Sequence, residues 1–289
     1  MHSEIRKASD WVVLLVILLT TALTALANVL FFAREDSFVW QVHKATEGWL
    51  NANLLVFLPQ SAIVIGGIML WLCRLRGRDL GLTRGWLLRA FAYTAVGWLI
   101  VQALSAIAAL VGTGQLAIHP NWQQHGAGTL IGLLLAMIVG TALFEDTVFR
   151  GFLIPQFAVR LKPWLGSAKA RSLAALALSA LIFSPWHLPT ILLQGASGPG
   201  PVLGALAYML LGGVMLGLLY LRTGNLPLAI AMHALVNAPT ILFESGVPGA
   251  ALAGLLGVVL IVLGPKLAGE RWSATGLLTF DEDPKPSPA

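Results

Sequence analysis

The chain has 289 residues, of which 57% are hydrophobic and only 11% charged, and its mean hydropathy is +0.81. A soluble domain carries roughly 25% charged residues, so this composition excludes a water-soluble globular protein and defines an integral membrane protein. The net charge of +5 is spread loop by loop with no basic patch, so it reports topology and gives no sign of a nucleic-acid partner.

Crossing about 30 Å of hydrocarbon as helix takes about 20 apolar residues, because lipid offers the backbone no hydrogen-bond partner. Hydropathy predicts an all-α polytopic bundle of eight spans, at about 11–33, 52–73, 86–112, 128–152, 172–189, 201–221, 226–243 and 248–266. The first span follows Arg6 and Lys7 and contains Ala25-Leu26-Ala27, features also found in a signal peptide with its cleavage site. Asp10 at its start and its continuation through Phe32 favour a retained span.

Basic residues alternate between the two sides. Arg74, Arg76, Arg78, Arg84 and Arg89 flank the connection after span two, and Arg160, Lys162, Lys169 and Arg171 follow span four. Arg222 follows span six, Lys266 and Arg271 follow span eight, and the opposite loops hold only Arg34 and Lys44. The positive-inside rule then puts both termini in the cytoplasm, as the even span count also requires. The expected organisation is three N-terminal helices over 1–127, a core over 128–245, a last helix over 246–268, and a disordered cytoplasmic tail over 269–289. Cys73 is the single cysteine, so no disulfide forms within one chain, and it reads as small apolar filler at a helix end.

Of 13 acidic residues only Glu145 and Asp146 fall well inside a span, and of 18 basic residues only Arg150 does. Each costs at least about 2.5 to 3.5 kcal/mol in hydrocarbon, so the three should face one another or a wet cavity. Asp146 and Arg150 are four apart, one helical turn, and can pair. Glu145 is rotated about 140° from Arg150 and is left without a partner on its own helix, the condition for a general base. "IFSPWHLP" places His187 two residues after Pro185, near the end of span five, and "AIAMHALVNAP" places His233 and Asn237 on one face of span seven. His2, His43, His119 and His125 lie in the tail or in loops and read as solvated polar residues.

Glu145-Asp146-x-x-x-Arg150-Gly151, Phe183-x-x-x-His187 and His233-x-x-x-Asn237, in this order and each in a membrane span, resemble the three signature motifs of the CAAX-protease and bacteriocin-processing (abortive infection) family of intramembrane proteases. The resemblance covers roughly residues 128 to 240. One position departs: Asp146 stands where the family usually has a second glutamate, and a shorter carboxylate should still serve the pairing with Arg150.

The resemblance implies peptide-bond hydrolysis inside the membrane. Glu145 and His187 would activate a water, and His233 and Asn237 would donate hydrogen bonds to the oxyanion. Asp146, Arg150 and Phe183 would support them. A metal version competes, in which His187, His233 and Glu145 hold zinc, although the chain has no His-Glu-x-x-His helix. Acid, histidine and arginine within a bundle also make ion pathways, so a proton-coupled transporter is the alternative from another class, and an inert membrane scaffold or immunity protein a third. The expected partners are membrane lipid and a peptide or lipid-modified protein, met at a site facing the cytoplasm.

Depth separates the three motifs. Glu145 lies 17 residues past Gly128, about 25 Å, and His233 about 10 Å past Leu226, both in the cytoplasmic third. His187 is 16 residues past Arg171, about 24 Å in, deeper than the other two unless its span starts earlier or tilts.

Overall fold

The structure is a computed structural model that describes residues 6–268. The tail expected over 269–289, with Arg271, and His2 lie outside the described residues. In chain order the helices are α1 (Asp10–Phe32), α2 (Phe38–Ala45), α3 (Ala52–Leu72), α4 (Trp86–Thr113), α5 (Asn121–Arg160), α6 (Ala168–Trp186), α7 (Leu188–Leu193), α8 (Pro199–Thr223), α9 (Leu226–Asn237) and α10 (Gly249–Ala268). Among the described residues there is no strand, only an isolated antiparallel bridge between Ile118 and Phe243. Six segments are long and apolar enough to cross a membrane: α1, α3, α4, α5, α6 with α7, and α8. With two shorter apolar helices, they make a polytopic helical membrane protein. Helix starts follow the usual chemistry: the side chains of Asn51, Ser167 and Asn225 accept hydrogen bonds from backbone N–H groups of the first turn.

Three boundaries differ from the hydropathy parse, each for a physical reason. The fourth span, expected to end near 152, continues as α5 to Arg160. Its end is tied down by Arg160, which pairs with Asp10 at 2.8 Å and donates to the Ala8 carbonyl. The fifth starts at Ala168 and breaks at His187, where Pro189 opens α7. The seventh, expected as helix to 243, is helical only through Asn237. Ala238 precedes a proline and is driven out of the helical region to φ −140, ψ 67.

Residues 238–244 therefore leave the helix, with Thr240 at a left-handed φ of 42, and α4 satisfies part of their backbone. Gln102 accepts from the Leu242 N–H and donates towards the Pro239 and Thr240 carbonyls, and Ser105 donates to the Phe243 carbonyl. Trp122 donates to the Ile241 carbonyl. Non-helical backbone at membrane depth is tolerable only when buried in protein in this way.

The core is continuous across the N-terminal and central helices. Val12, Val16, Val64 and Met69 of α1 and α3 share one apolar cluster with Phe144, Phe149, Phe152 and Phe183. Gly128, Gly132 and Gly151 of α5 make close approaches to backbone. A Cβ on Gly132 would stand 2.1 Å from the Gly48 carbonyl oxygen, and one on Gly151 2.5 Å from that of Leu80. Two loop histidines depart from the solvated reading. His43 is half-buried with its ring edge-on to Trp40 at 5.4 Å, and burial pushes its pKa down. His119 accepts the Asn121 N–H on Nδ1 at the start of α5. His125 is exposed, as expected.

Candidate active site

The local geometry of α5 sets up the site. A single ordinary turn, Ala142–Asp146, is bracketed by two stretches of wider turn, Met137–Thr141 and Thr147–Leu153, in which hydrogen bonds run from i to i+5. Glu145 and Asp146 sit at the end of that turn and are 3% and 0% exposed. Asp146 Oδ1 lies 3.2 Å from Arg150 Nη1, so the i,i+4 pairing read from the sequence is present. Arg150, itself fully buried, also stacks over the Phe183 ring with its Cζ 4.4 Å from the centroid.

The other oxygen of Asp146 has a role that the sequence did not reveal. Its Oδ2 is 3.0 Å from His233 Nδ1. The two residues are 87 positions apart, and no spacing rule connects them. A carboxylate accepts only, so Nδ1 carries the proton and Nε2 faces the other way. His187 is oriented alike: its Nδ1 donates to the Phe183 carbonyl at 2.9 Å. Phe183 thus holds Arg150 with its ring and His187 with its backbone.

Both free Nε2 atoms meet Glu145. Oε2 is 3.7 Å from His187 Nε2 and 3.7 Å from His233 Nε2, and it is buried without a hydrogen-bond partner. A water held here has two O–H groups, one to donate to Glu145 Oε2 and one to His187 Nε2. Asn237, on the last turn of α9, lines the same cavity, whose volume is about 820 Å³. Phe183, Glu145, His187 and His233 line it as well, so Glu145, Phe183, His187, His233 and Asn237 open onto one space, while Asp146, Arg150 and Gly151 lie behind it.

The depth mismatch disappears in the same geometry. Because α5 continues to Arg160, Glu145 stands 15 residues, about 22 Å, from that end, near the middle of its helix and not in an outer third. Because α6 begins at Ala168, antiparallel to α5, His187 comes level with it, with Ser179 on the Phe149 carbonyl one step further along. Leu226 packs beside Gly151, inside the bundle, so the short α9 carries His233 to the same layer.

Two imidazoles and a carboxylate are the right donors in kind for zinc. Ligand atoms of a tetrahedral zinc stand about 3.3 Å apart for bonds near 2.0 to 2.1 Å, so the 3.7 Å separations are slightly wide. Among the described residues no set of three His, Cys, Asp or Glu side chains is gathered as a ligand set.

Fold and site together define a multi-pass α-helical membrane protein with a buried Glu-His-His centre at mid-bundle. Residues 127–239, which contain all three motifs, match the model of the family described as "Type II CAAX prenyl endopeptidase Rce1-like", in agreement with the resemblance read from the sequence. No curated protein and no solved structure matches the chain.

Proposed function

We propose that this protein hydrolyses a peptide bond of a membrane-associated polypeptide, with a water activated by Glu145 and His187. The observation that carries this reading is the convergence of Glu145 Oε2 with both Nε2 atoms at 3.7 Å in a cavity that Asn237 also lines. The water sits between Glu145 and His187. Glu145 takes one of its protons, His187 Nε2 accepts a hydrogen bond from it, and its oxygen attacks the scissile carbonyl. The oxyanion receives hydrogen bonds from the Asn237 amide and from the Nε2–H of a His233 that enters the reaction protonated on both nitrogens, the form that the Nδ1 contact with Asp146 stabilises. Glu145 returns the proton to the leaving amine, so one water is consumed and two termini are released. Glu145, His187 and His233 are also the residues that would hold a zinc ion, which when bound would supply a polarised water.

The basic connections support an active site reached from the cytoplasmic side. Arg6 donates to the Arg74 carbonyl and Arg160 pairs with Asp10, which gathers three basic segments at one end of the bundle. Purified protein in nanodiscs, presented with a membrane-anchored peptide, should lose cleavage with Glu145→Gln while its unfolding midpoint holds. Asn237→Ala should slow cleavage by about 10² to 10³, the usual effect of deleting one oxyanion donor. Undiminished cleavage by Glu145→Gln would remove Glu145 as the base, and absence of cleavage by the wild-type protein would leave an inert scaffold. Metal analysis of protein purified without chelator separates the metal-free from the zinc form.

A further inference from the structure

Thr240 stands in a conformation that its own side chain resists. Its φ is 42, in the left-handed region, where a β-branched residue is a genuine outlier. The other described non-glycine residues with positive φ, Glu47 and Arg74, are unbranched at Cβ and lie in connecting loops. Backbone of this kind persists only where its surroundings over-determine it, and such residues cluster at active sites. Thr240 comes three residues after Asn237, the last residue of α9 and an oxyanion donor in the mechanism above.

The constraint comes from one face of α4. Trp98, Gln102 and Ser105 follow one another at i, i+4 and i+7, a single stripe of that helix. Trp98 Nε1 donates to Thr240 Oγ1 at 2.8 Å, across 142 positions of the chain. Gln102 donates towards the Pro239 and Thr240 carbonyls at 3.4 Å. The indole bond is therefore shorter than either of these, and it holds the side chain of the strained residue itself. Trp98 also packs against the cluster that contains Met232 and Leu235 of α9, and Gly97 beside it admits Leu235, whose Cδ1 would stand 2.6 Å from a Cβ there. Thr240 is 9% exposed, so little water competes for its hydroxyl. Asn237, in contrast, is exposed and lines the cavity, so the aim of its amide follows the backbone on either side of it.

Resting on the peptidase reading above, we infer that Trp98 and Thr240 are positioning residues: their indole–hydroxyl hydrogen bond pins the turn that ends α9 and so aims the Asn237 amide at the oxyanion. Neither is among the residues that line the cavity, so their effect on the reaction passes through Asn237. Both lie outside the segment that matches the family.

The test uses the full protein in nanodiscs with a membrane-anchored quenched-fluorescence peptide, at a temperature well below the unfolding midpoint of every variant. Trp98→Phe keeps an aromatic ring and deletes the N–H. It should lower kcat by about 10- to 100-fold, the effect of a small misplacement of a group that acts in the transition state, and leave KM nearly unchanged. Thr240→Ala deletes the acceptor at the other end of the bond and should reproduce that loss. Thr240→Ser keeps the hydroxyl and removes the branch, so it should hold the wild-type kcat with an unfolding midpoint unchanged or higher. The double variant Trp98→Phe, Asn237→Ala should cleave no more slowly than Asn237→Ala alone, because residues that act through one group are not additive. A wild-type kcat in Trp98→Phe or in Thr240→Ala overturns the inference, as does a second full loss when Trp98→Phe is added to Asn237→Ala. A loss in Thr240→Ser equal to that in Thr240→Ala overturns the role of the hydroxyl. Each of those results leaves the peptidase reading standing, whereas wild-type protein that leaves the peptide intact refutes that reading and the positioning role with it.

Discussion

Asp146 is the residue on which the buried centre is balanced, because one oxygen faces Arg150 and the other accepts from His233. Removing its charge leaves Arg150 buried and unpaired, a change worth about 3 to 5 kcal/mol in comparable ion pairs. Asp146→Asn should therefore lower the unfolding midpoint sharply as well as abolish cleavage. Asp146→Glu restores the residue usual in the resembled family but adds a methylene where exposure is 0%. It should cost about 1 to 3 kcal/mol by overpacking and retain cleavage, as thermal unfolding and a peptide assay on the same preparation can check. The Asp146–Arg150 pair was legible because i,i+4 is a rule of helices. The Asp146–His233 contact was not, since it exists only once α9 docks on α5.

Among the elements, α5 shows most clearly how packing fixes chemistry. Gly151 admits the Leu80 carbonyl, which is backbone and cannot move aside, whereas a Cβ on Gly217 would meet only the Leu176 Cδ1 methyl. Gly151→Ala should thus be much more destabilising than Gly217→Ala, a difference that urea or thermal unfolding of the two variants would read directly. The irregular run after α9 depends likewise on α4. Gln102→Leu strips partners from the Leu242 N–H and from the Pro239 and Thr240 carbonyls. At about 1 to 3 kcal/mol per buried unpaired group, it should destabilise strongly and slow cleavage by loosening Asn237. Hydropathy located every long helix, because period and length are local properties. It missed the end of α9, where Pro239 was visible but outweighed by the apolar run.

At the scale of the whole molecule, the first and third helices do more than anchor the chain. They share a core with α5 and α6 and supply part of the cavity wall. Orientation is open to a direct measurement, since Cys73 is the only cysteine. In a Cys73→Ser background, Trp164→Cys, at a position 76% exposed between α5 and α6, should react with an impermeant maleimide from the cytoplasmic side. Gln115→Cys, beyond the far end of α4, should react from the other side. The reverse pattern would invert the topology and move the opening of the site to the opposite compartment.

The burial of α9 bears on how such a protein is made. Its 12 residues span about 18 Å, well short of the hydrocarbon, and Leu226 through Leu235 are buried without a break. A segment with no lipid face cannot hold its place in a bilayer alone, so it must enter behind α8, around the left-handed Gly224, as half of a hairpin. Nascent chains arrested at Asn237 should leave this segment open to added protease, and chains extended through Gly264 should protect it. His233 and Asn237 are then the last site residues to be seated during biogenesis, and the newborn protein stays catalytically silent towards its neighbours until its own bundle has closed.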